Sequence, residues 1–414
     1  MTRLRLRPPS PLAGLGTLLG PDLGAAAQSA VALLVALAGA LVAGLALGHV
    51  TDLFDRLPGL LLLVPAVIAG RGAIFGTLGS RLGTAIHTGQ FHLSPRVATV
   101  VGQNVVAVGV LSLSTSMVIG VVAKIVGVMF GVRPLIGVDD LIVLSSLAGI
   151  SSAVLMVVFT LAVAAGSVRR GWDMDNVTAP LVTAVSDMVT LPLLLAATVV
   201  ADRGATTGVL AVLLTVASVV VTIIAIRSSL ELVKTILIQS MPVLVIGGLV
   251  SLVAGLTIER RIEEFSALPA LLVFVPPFLA SGGALTGILT SRLGSKLHLG
   301  IIEPSTVPGV EATRDIRFVF VLAVPLFTLC ALLTDLVATW SNLAAPPLGD
   351  LVRVALLASL MAITIAVVVS YYGSIAAYRA GIDPDNVGIP LVTAAMDLAG
   401  AAAIVVAIAA FGVA

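Results

Sequence analysis

The sequence predicts an all-α integral membrane protein, and three observations predict it. Of the 414 residues, 59% are hydrophobic and only 10% charged, against roughly 25% charged in an average soluble domain; a water-soluble fold would expose far more apolar surface than a monomer tolerates. Apolar runs of twenty or more residues, rich in glycine and alanine, recur between short polar links, which suits spanning helices and not the alternating strands of a membrane barrel. Whole segments also repeat at a fixed spacing. A formal charge of +1 provides no basic field, so no nucleic-acid partner is expected. The single cysteine, Cys330, lies inside an apolar run and excludes a disulfide framework or a cysteine-based metal site.

A hydropathy window of about 19 residues gives eleven spans, with cores near 24–50, 57–80, 104–130, 141–168, 177–201, 205–226, 229–258, 268–291, 316–340, 351–379 and 387–412. The first follows Arg3, Arg5 and Arg7 but is long enough to cross and has no small-residue cleavage site after it. It reads as a retained span and not a signal peptide.

The second span fixes the repeat. Residues 57–89 align without a gap to 268–300, with 17 of 33 positions identical at an offset of 211. At the same offset Gln28-Ser29 meets Gln239-Ser240, and the LVAGL of 41–45 recurs at 252–256. Residues 171–187 match 381–397 at 11 of 17 positions, at an offset of 210. Two copies of a five-helix unit follow, at 1–204 and 229–414. Five is odd, so two directly joined copies would lie inverted in the bilayer. The sixth span, within 205–228, has no counterpart and restores one orientation to both copies, which puts a pseudo-two-fold axis along the membrane normal. With the amino terminus in the cytoplasm, Lys and Arg number 14 in or beside cytoplasmic segments and 6 outside. The positive-inside rule therefore predicts a multi-pass plasma-membrane protein with the amino terminus inside and the carboxyl terminus outside.

Charges within spans are functional candidates by default. Asp187 and Asp397 occupy equivalent places in the fifth helix of each copy. Asn176, Pro180, Thr183 and Asp187 fall at i, i+4, i+7 and i+11, one stripe on one helical face, and Asn386, Pro390, Thr393 and Asp397 repeat it. If the helix is formed by Asn176, each proline leaves the carbonyl four residues earlier without its donor. The stripe then offers a free carbonyl, a hydroxyl and a carboxylate, an all-oxygen set that suits a hard cation. The competing reading makes the asparagines helix caps and the prolines first-turn residues, and has each Asp bond a neighbouring helix. Asp173 and Asp175, with Asp383 and Asp385, sit just before that helix, where they either concentrate cations at a pore mouth or favour the positive end of the helix dipole. In the second helix, Gly72, Gly76 and Ser80 recur as Gly283, Gly287 and Ser291, spaced as a small-residue packing face; Pro65 and Pro276 with the nearby glycines also allow a break that exposes carbonyls. Arg71 stands opposite Gly282 of the other copy, either as a counter-charge near Asp187 or Asp397 or as a residue that snorkels to the interface. Lys124 is the other cation within a span. His87 and His298 share one repeat position, as hydrogen-bonded interfacial residues or as a proton or metal site.

These motifs resemble the MgtE-type divalent cation transporters, especially the solute-carrier branch in which two five-helix membrane domains are fused. The resemblance rests on the proline, glycine and Ser-Arg-Leu-Gly-x3-His of each second helix, and on D-x-D-N-x3-PLVTA-x2-D around the fifth. It covers 24–201 and 229–412. It implies a central pore between the halves in which Asp187 and Asp397 bind a partly hydrated magnesium ion, with Asp173, Asp175, Asp383 and Asp385 as the acidic pairs at its approach. The family usually has asparagine after the second-helix glycines, where this chain has Ala73 and Ala284, so one polar contact to the water shell is absent in both halves. Only about 23 residues precede the first span, so gating is expected within the membrane domain. The chain is thus expected to transport a divalent cation, magnesium first, as a single pseudo-dimeric monomer. No cofactor is expected, because the ion is the cargo, and the bilayer is the surrounding partner. The alternative is a secondary transporter coupling sodium or protons to another solute or to divalent exchange. An intramembrane enzyme on a lipid diphosphate would need basic residues beside the D-x-D-N segments, and few are there; the chain is not expected to be an enzyme.

Overall fold

The computed structural model describes residues 23–94, 96–132, 134–170, 174–201, 204–381 and 384–413, with side chains described except at 23–29, 32, 87, 170, 174–180, 183–184 and 384–387. Among them run thirteen α-helices and no strand: α1 (Leu23–Gly48), α2 (Thr51–Arg56), α3 (Leu60–His87), α4 (Val100–Met129), α5 (Val138–Arg170), α6 (Met174–Ala197), α7 (Ala205–Arg227), α8 (Glu231–Glu259), α9 (Ile262–Ala267), α10 (Pro269–His298), α11 (Val310–Trp340), α12 (Leu348–Arg379) and α13 (Pro384–Phe411). Among the described residues nine helices are long and apolar enough to cross a membrane; Leu33–Gly48 and Val185–Ala197 are apolar but shorter stretches. The protein is a multi-pass membrane protein. The short helices α2 and α9, at equivalent places before α3 and α10, are elements that the hydropathy window does not separate.

Local chemistry sets the helix ends. Gly89 and Gly300, at equivalent positions, adopt left-handed backbone with φ of 69° and 68° and stop α3 and α10. Gly131 stops α4 in the same way at φ 74°, and its counterpart after α11 is Asn342 at φ 55°, asparagine being the non-glycine residue that tolerates this conformation best. The backbone N–H groups of Val132 and Leu343 then reach back to Gly127 and Ala338, each at 2.9 Å, closing the last turn.

The packing is reciprocal. Helix α1 lies against α10 and α6, while α8 lies against α3 and α13, so each copy's first helix packs on the second helix of the other copy. Glycine makes this possible. A Cβ on Gly44 would strike the backbone carbonyl of Val273, and a Cβ on Gly255 would lie 2.5 Å from the carbonyl oxygen of Leu62. These two contacts map onto each other at the offset of 211. The backbone N–H of Gly59, ahead of α3, donates to Glu259 Oε1 at the end of α8, 2.9 Å away. One continuous core results: Leu37 and Leu47 of α1 and Leu60–Leu63 of α3 belong with Leu252 and Leu256 of α8 and Phe274 and Phe278 of α10. Helix α7 is the least covered, with Val212, Leu213, Val216 and Ile224 all more than half exposed, the surface a lipid-facing helix presents. It is tied to α4 by a 2.6 Å hydrogen bond between Ser114 and Thr222.

Candidate functional site

Asp187 on α6 and Asp397 on α13 are both buried, at 3% and 6% exposure. The helices that carry them, α6 and α13, both pack against α3. The Ser251 hydroxyl of α8 donates to Asp397 Oδ2 at 2.7 Å; at the equivalent place in α1 stands Ala40, which has no hydrogen to give. The two carboxylates are therefore related by the repeat but not equally held. Among the described residues no three acidic, histidine or cysteine side chains come together.

The rest of the fifth-helix stripe is only partly described. Helices α6 and α13 begin at Met174 and Pro384, which puts Asn176 and Asn386 inside the first turn and not at the flanking cap position. Pro390 lies inside α13, and having no N–H it cannot serve the carbonyl of Asn386. Thr393 Oγ1 donates to the Ile389 carbonyl at 2.9 Å, within its own helix. The side chains of Asp175, Asn176, Pro180, Thr183, Asp385 and Asn386, and all of Asp173 and Asp383, lie outside the described residues.

Of the second-helix glycines, Gly76 and Gly287 do not pack closely on a described neighbour. Among the described residues a Cβ at Gly76 or at Gly287 would meet no atom within 4 Å, and one at Gly283 would touch Thr393 Cγ2 at 3.8 Å. Close packing fell instead to Gly44 and Gly255, while the equivalent Gly76 and Gly287 border open space. Gly72 is buried and Gly283 half-buried. Where a helix must leave room beside it, glycine removes the most volume.

Arg71 is 2% exposed, so it does not snorkel. Its guanidinium donates to the Gly149 and Ser112 carbonyls, each at 3.3 Å, and to the hydroxyls of Thr115 at 3.4 Å and Ser116 at 2.8 Å. No carboxylate is among these partners, so the expected pairing with Asp187 or Asp397 is absent; its Nε has no partner among the described residues. Lys124 reaches the loop carbonyl of Ile136 at 2.7 Å. His298 is hydrogen-bonded, its Nδ1 3.0 Å from the Gly294 carbonyl and its ring edge-on to Tyr378. The side chain of His87 is not described.

Two interactions escaped sequence reasoning. Ser251 is one. The other is the partner of the arginine in each Ser-Arg-Leu-Gly: Arg81 Nε donates to Asn104 Oδ1 at 2.8 Å, while Arg292 Nε meets Asp315 Oδ1 at 3.1 Å and Lys296 Nζ meets Asp315 Oδ2 at 2.7 Å. Asn104 and Asp315 are each 1% exposed and fall at the offset of 211. Two polar residues at equivalent places near the start of apolar spans were the signal that could have found them.

A family profile described as MgtE, divalent cation transporter, matches residues 64–197 and 275–407, most of the chain and both copies. The chain belongs to the MgtE divalent cation transporter family. Among curated proteins, this member is 24% identical to solute carrier family 41 member 3 of Rattus norvegicus over 407 residues, covering 90% of this chain and 84% of that one. It is 27% identical to solute carrier family 41 member 2 of Xenopus laevis over 410 residues, covering 91% and 70%. These relatives are the fused two-copy branch of the MgtE family. No solved structure matches the chain. An MgtE-family protein is a transporter and not an enzyme.

Proposed function

We propose that this chain carries divalent cations, magnesium first among them, along a path between two halves of like orientation, with Asp187 and Asp397 as the shared ion site. The observation that carries this reading is the pair of buried carboxylates at equivalent places on two helices that both pack against α3. Two such groups are costly in the bilayer, and a divalent ion between them removes both the repulsion and the unpaired charge. Glycine at 76 and 287 leaves room beside α3 and α10, and magnesium, which dehydrates reluctantly, uses such room to keep its waters. The two carboxylates are to contact it mainly through that water shell. Asp173, Asp175, Asp383 and Asp385 serve ion access, and Gly72, Gly283, Asn176, Pro180, Thr183, Asn386, Pro390 and Thr393 border the path.

In this reading the chain has eleven spans in two five-helix repeats, 1–204 and 229–414, joined by the spanning helix within 205–228, and the pseudo-two-fold axis follows the membrane normal. It sits in the plasma membrane with its amino terminus cytoplasmic and works as one pseudo-dimeric chain. The test is uptake of magnesium into liposomes holding the purified protein. Asp187→Asn and Asp397→Asn should each remove most of the flux, and the double variant should lose little more, because groups that share one ion act as a unit. Single variants that each keep half the flux would mean two independent paths and overturn the proposal.

A further inference from the structure

The two copies differ in concert around Arg71. Its cradle is Ser112, Thr115, Ser116 and Gly149. At the equivalent positions of the second copy stand Gly282 for the arginine and Ala323, Leu326, Phe327 and Ser359 for the cradle. There Phe327 packs on Phe278 with ring centroids 4.7 Å apart, and the Met396 side chain occupies the space a side chain at Gly282 would take. One half thus builds a polar socket for a cation where the other builds an apolar plug. The socket's oxygens are all neutral, so they hold the guanidinium without cancelling its charge.

The socket also adjoins the carboxylates. Arg71 borders a small cavity with Gly70, Thr115 and Ser116, closed on the α8 side by Leu244 and Gly248. Gly248 and Ser251 lie three residues apart on α8, about 5 Å along the axis, and Ser251 is the residue that donates to Asp397. Helix α3, which carries Arg71, packs on both α6 and α13, the helices of the two aspartates.

We infer that Arg71 is a fixed, unpaired positive charge that tunes the Asp187–Asp397 site, lowering its pull on cations in proportion to their charge. This rests on the proposed ion site and deepens it. Arginine stays charged at any working pH, so the effect is permanent and not a switch. A Coulomb interaction scales with ionic charge. For a charge roughly 10 Å away at an effective dielectric near 20, removing it should tighten a monovalent ion on the order of tenfold and a divalent ion on the order of a hundredfold, the square of the first factor. That square law separates a charge effect from a change of shape, which has no reason to obey it.

The experiment measures Mn2+ binding by calorimetry, and Na+ by its competition with Mn2+, on the purified full chain in detergent. Arg71→Lys keeps the charge and should leave both constants within about threefold. Arg71→Met removes it. A second neutral variant, Arg71→Gly with Ser112→Ala, Thr115→Leu, Ser116→Phe and Ser186→Met, installs the second copy's packing. Either neutral variant, folded, should show the squared relation. Equal factors for the two ions, no change, or a Lys variant that behaves like the Met variant would overturn the inference. Failure of both neutral variants to fold would also overturn it, since it would make the socket a structural requirement. Asp187→Asn and Asp397→Asn serve as controls: if they lose Mn2+ binding while the Arg71 variants leave it unchanged, only the inference fails, and if they bind as the parent does, the ion site itself fails.

Discussion

Alanine in place of glycine should have opposite effects at two kinds of position in this bundle, and Gly255→Ala is the sharper case. The Cβ would sit 2.5 Å from the Leu62 carbonyl oxygen and 2.9 Å from its neighbours in the Leu61 and Leu62 backbone. Comfortable contact begins near 3.4 Å, so α8 and α3 must part by almost an ångström. Both sides of the clash are helical backbone, and no side chain can swing aside. Overpacking of this kind costs about 1–3 kcal/mol, to which the loss of well-packed neighbours such as Leu252 and Leu256 adds. At Gly76 and Gly287 no described atom lies within 4 Å of the added carbon, so alanine there should gain its helix preference, up to about 1 kcal/mol. The assay is thermal unfolding of the purified protein in one detergent, followed by tryptophan fluorescence and by loss of monodispersity. Gly255→Ala should lower the midpoint by several degrees, and Gly76→Ala and Gly287→Ala should hold or raise it. Equal midpoints for the two classes, or a stable Gly255→Ala protein, would refute the close approach of α8 to α3.

Four further outcomes can be checked. Gly44→Ala, at the mirror contact with Val273, should cost about as much as Gly255→Ala, and the pair should add, since the sites share no partner; this is read in the same melts. Asp315→Ala removes the buried carboxylate that Arg292 and Lys296 both meet, leaving Lys296 the longer contact to Glu311 at 3.5 Å, and should destabilise by about 1–3 kcal/mol, whereas Asp315→Asn, which copies Asn104, should cost clearly less in denaturation midpoints. Ser251→Ala removes a charge-assisted bond worth about 1.5–3 kcal/mol and should shift magnesium affinity, with the reciprocal Ala40→Ser shifting it less. Gly76→Leu and Gly287→Leu fill the open space and should reduce liposome flux while leaving the melting midpoint near that of the parent.

The fold class and the repeat were legible because both are set by long patterns. Apolar runs dictate spanning helices, and the identities between 57–89 and 268–300 survive whatever surrounds them. The aspartates were legible for a different reason: a carboxylate in a span is too costly to be incidental. What could not be read was which surface meets which. Spacing by four places Gly72, Gly76 and Ser80 on one face but cannot say whether a helix or a void lies opposite, and the LVAGL that repeats around the true close contacts, Gly44 and Gly255, marks a repeat without saying what it touches. The environment of Arg71 was equally hidden. Its solvating oxygens come from α4 and α5, some 40 to 80 residues away, and include backbone carbonyls that no side-chain pattern encodes. Ser251 went unnoticed because serine in a membrane helix usually bonds its own backbone, as Thr393 does here.

The exchange of first helices sets a timetable for biogenesis. Gly44 docks on Val273, which a ribosome adds roughly 230 residues later, about 10 to 45 s at ordinary elongation rates. Through that interval α1 is already made while its main neighbour is not, and the glycine groove meant for a carbonyl faces lipid or whatever escorts the chain into the bilayer. Helix α3 waits for α8 as well, though less long. The faces of α1 and α3 that meet the carboxyl-terminal half therefore stay uncovered until that half arrives, and a ribosome-stalled or truncated product ending near residue 230 should be more open to protease than the finished protein.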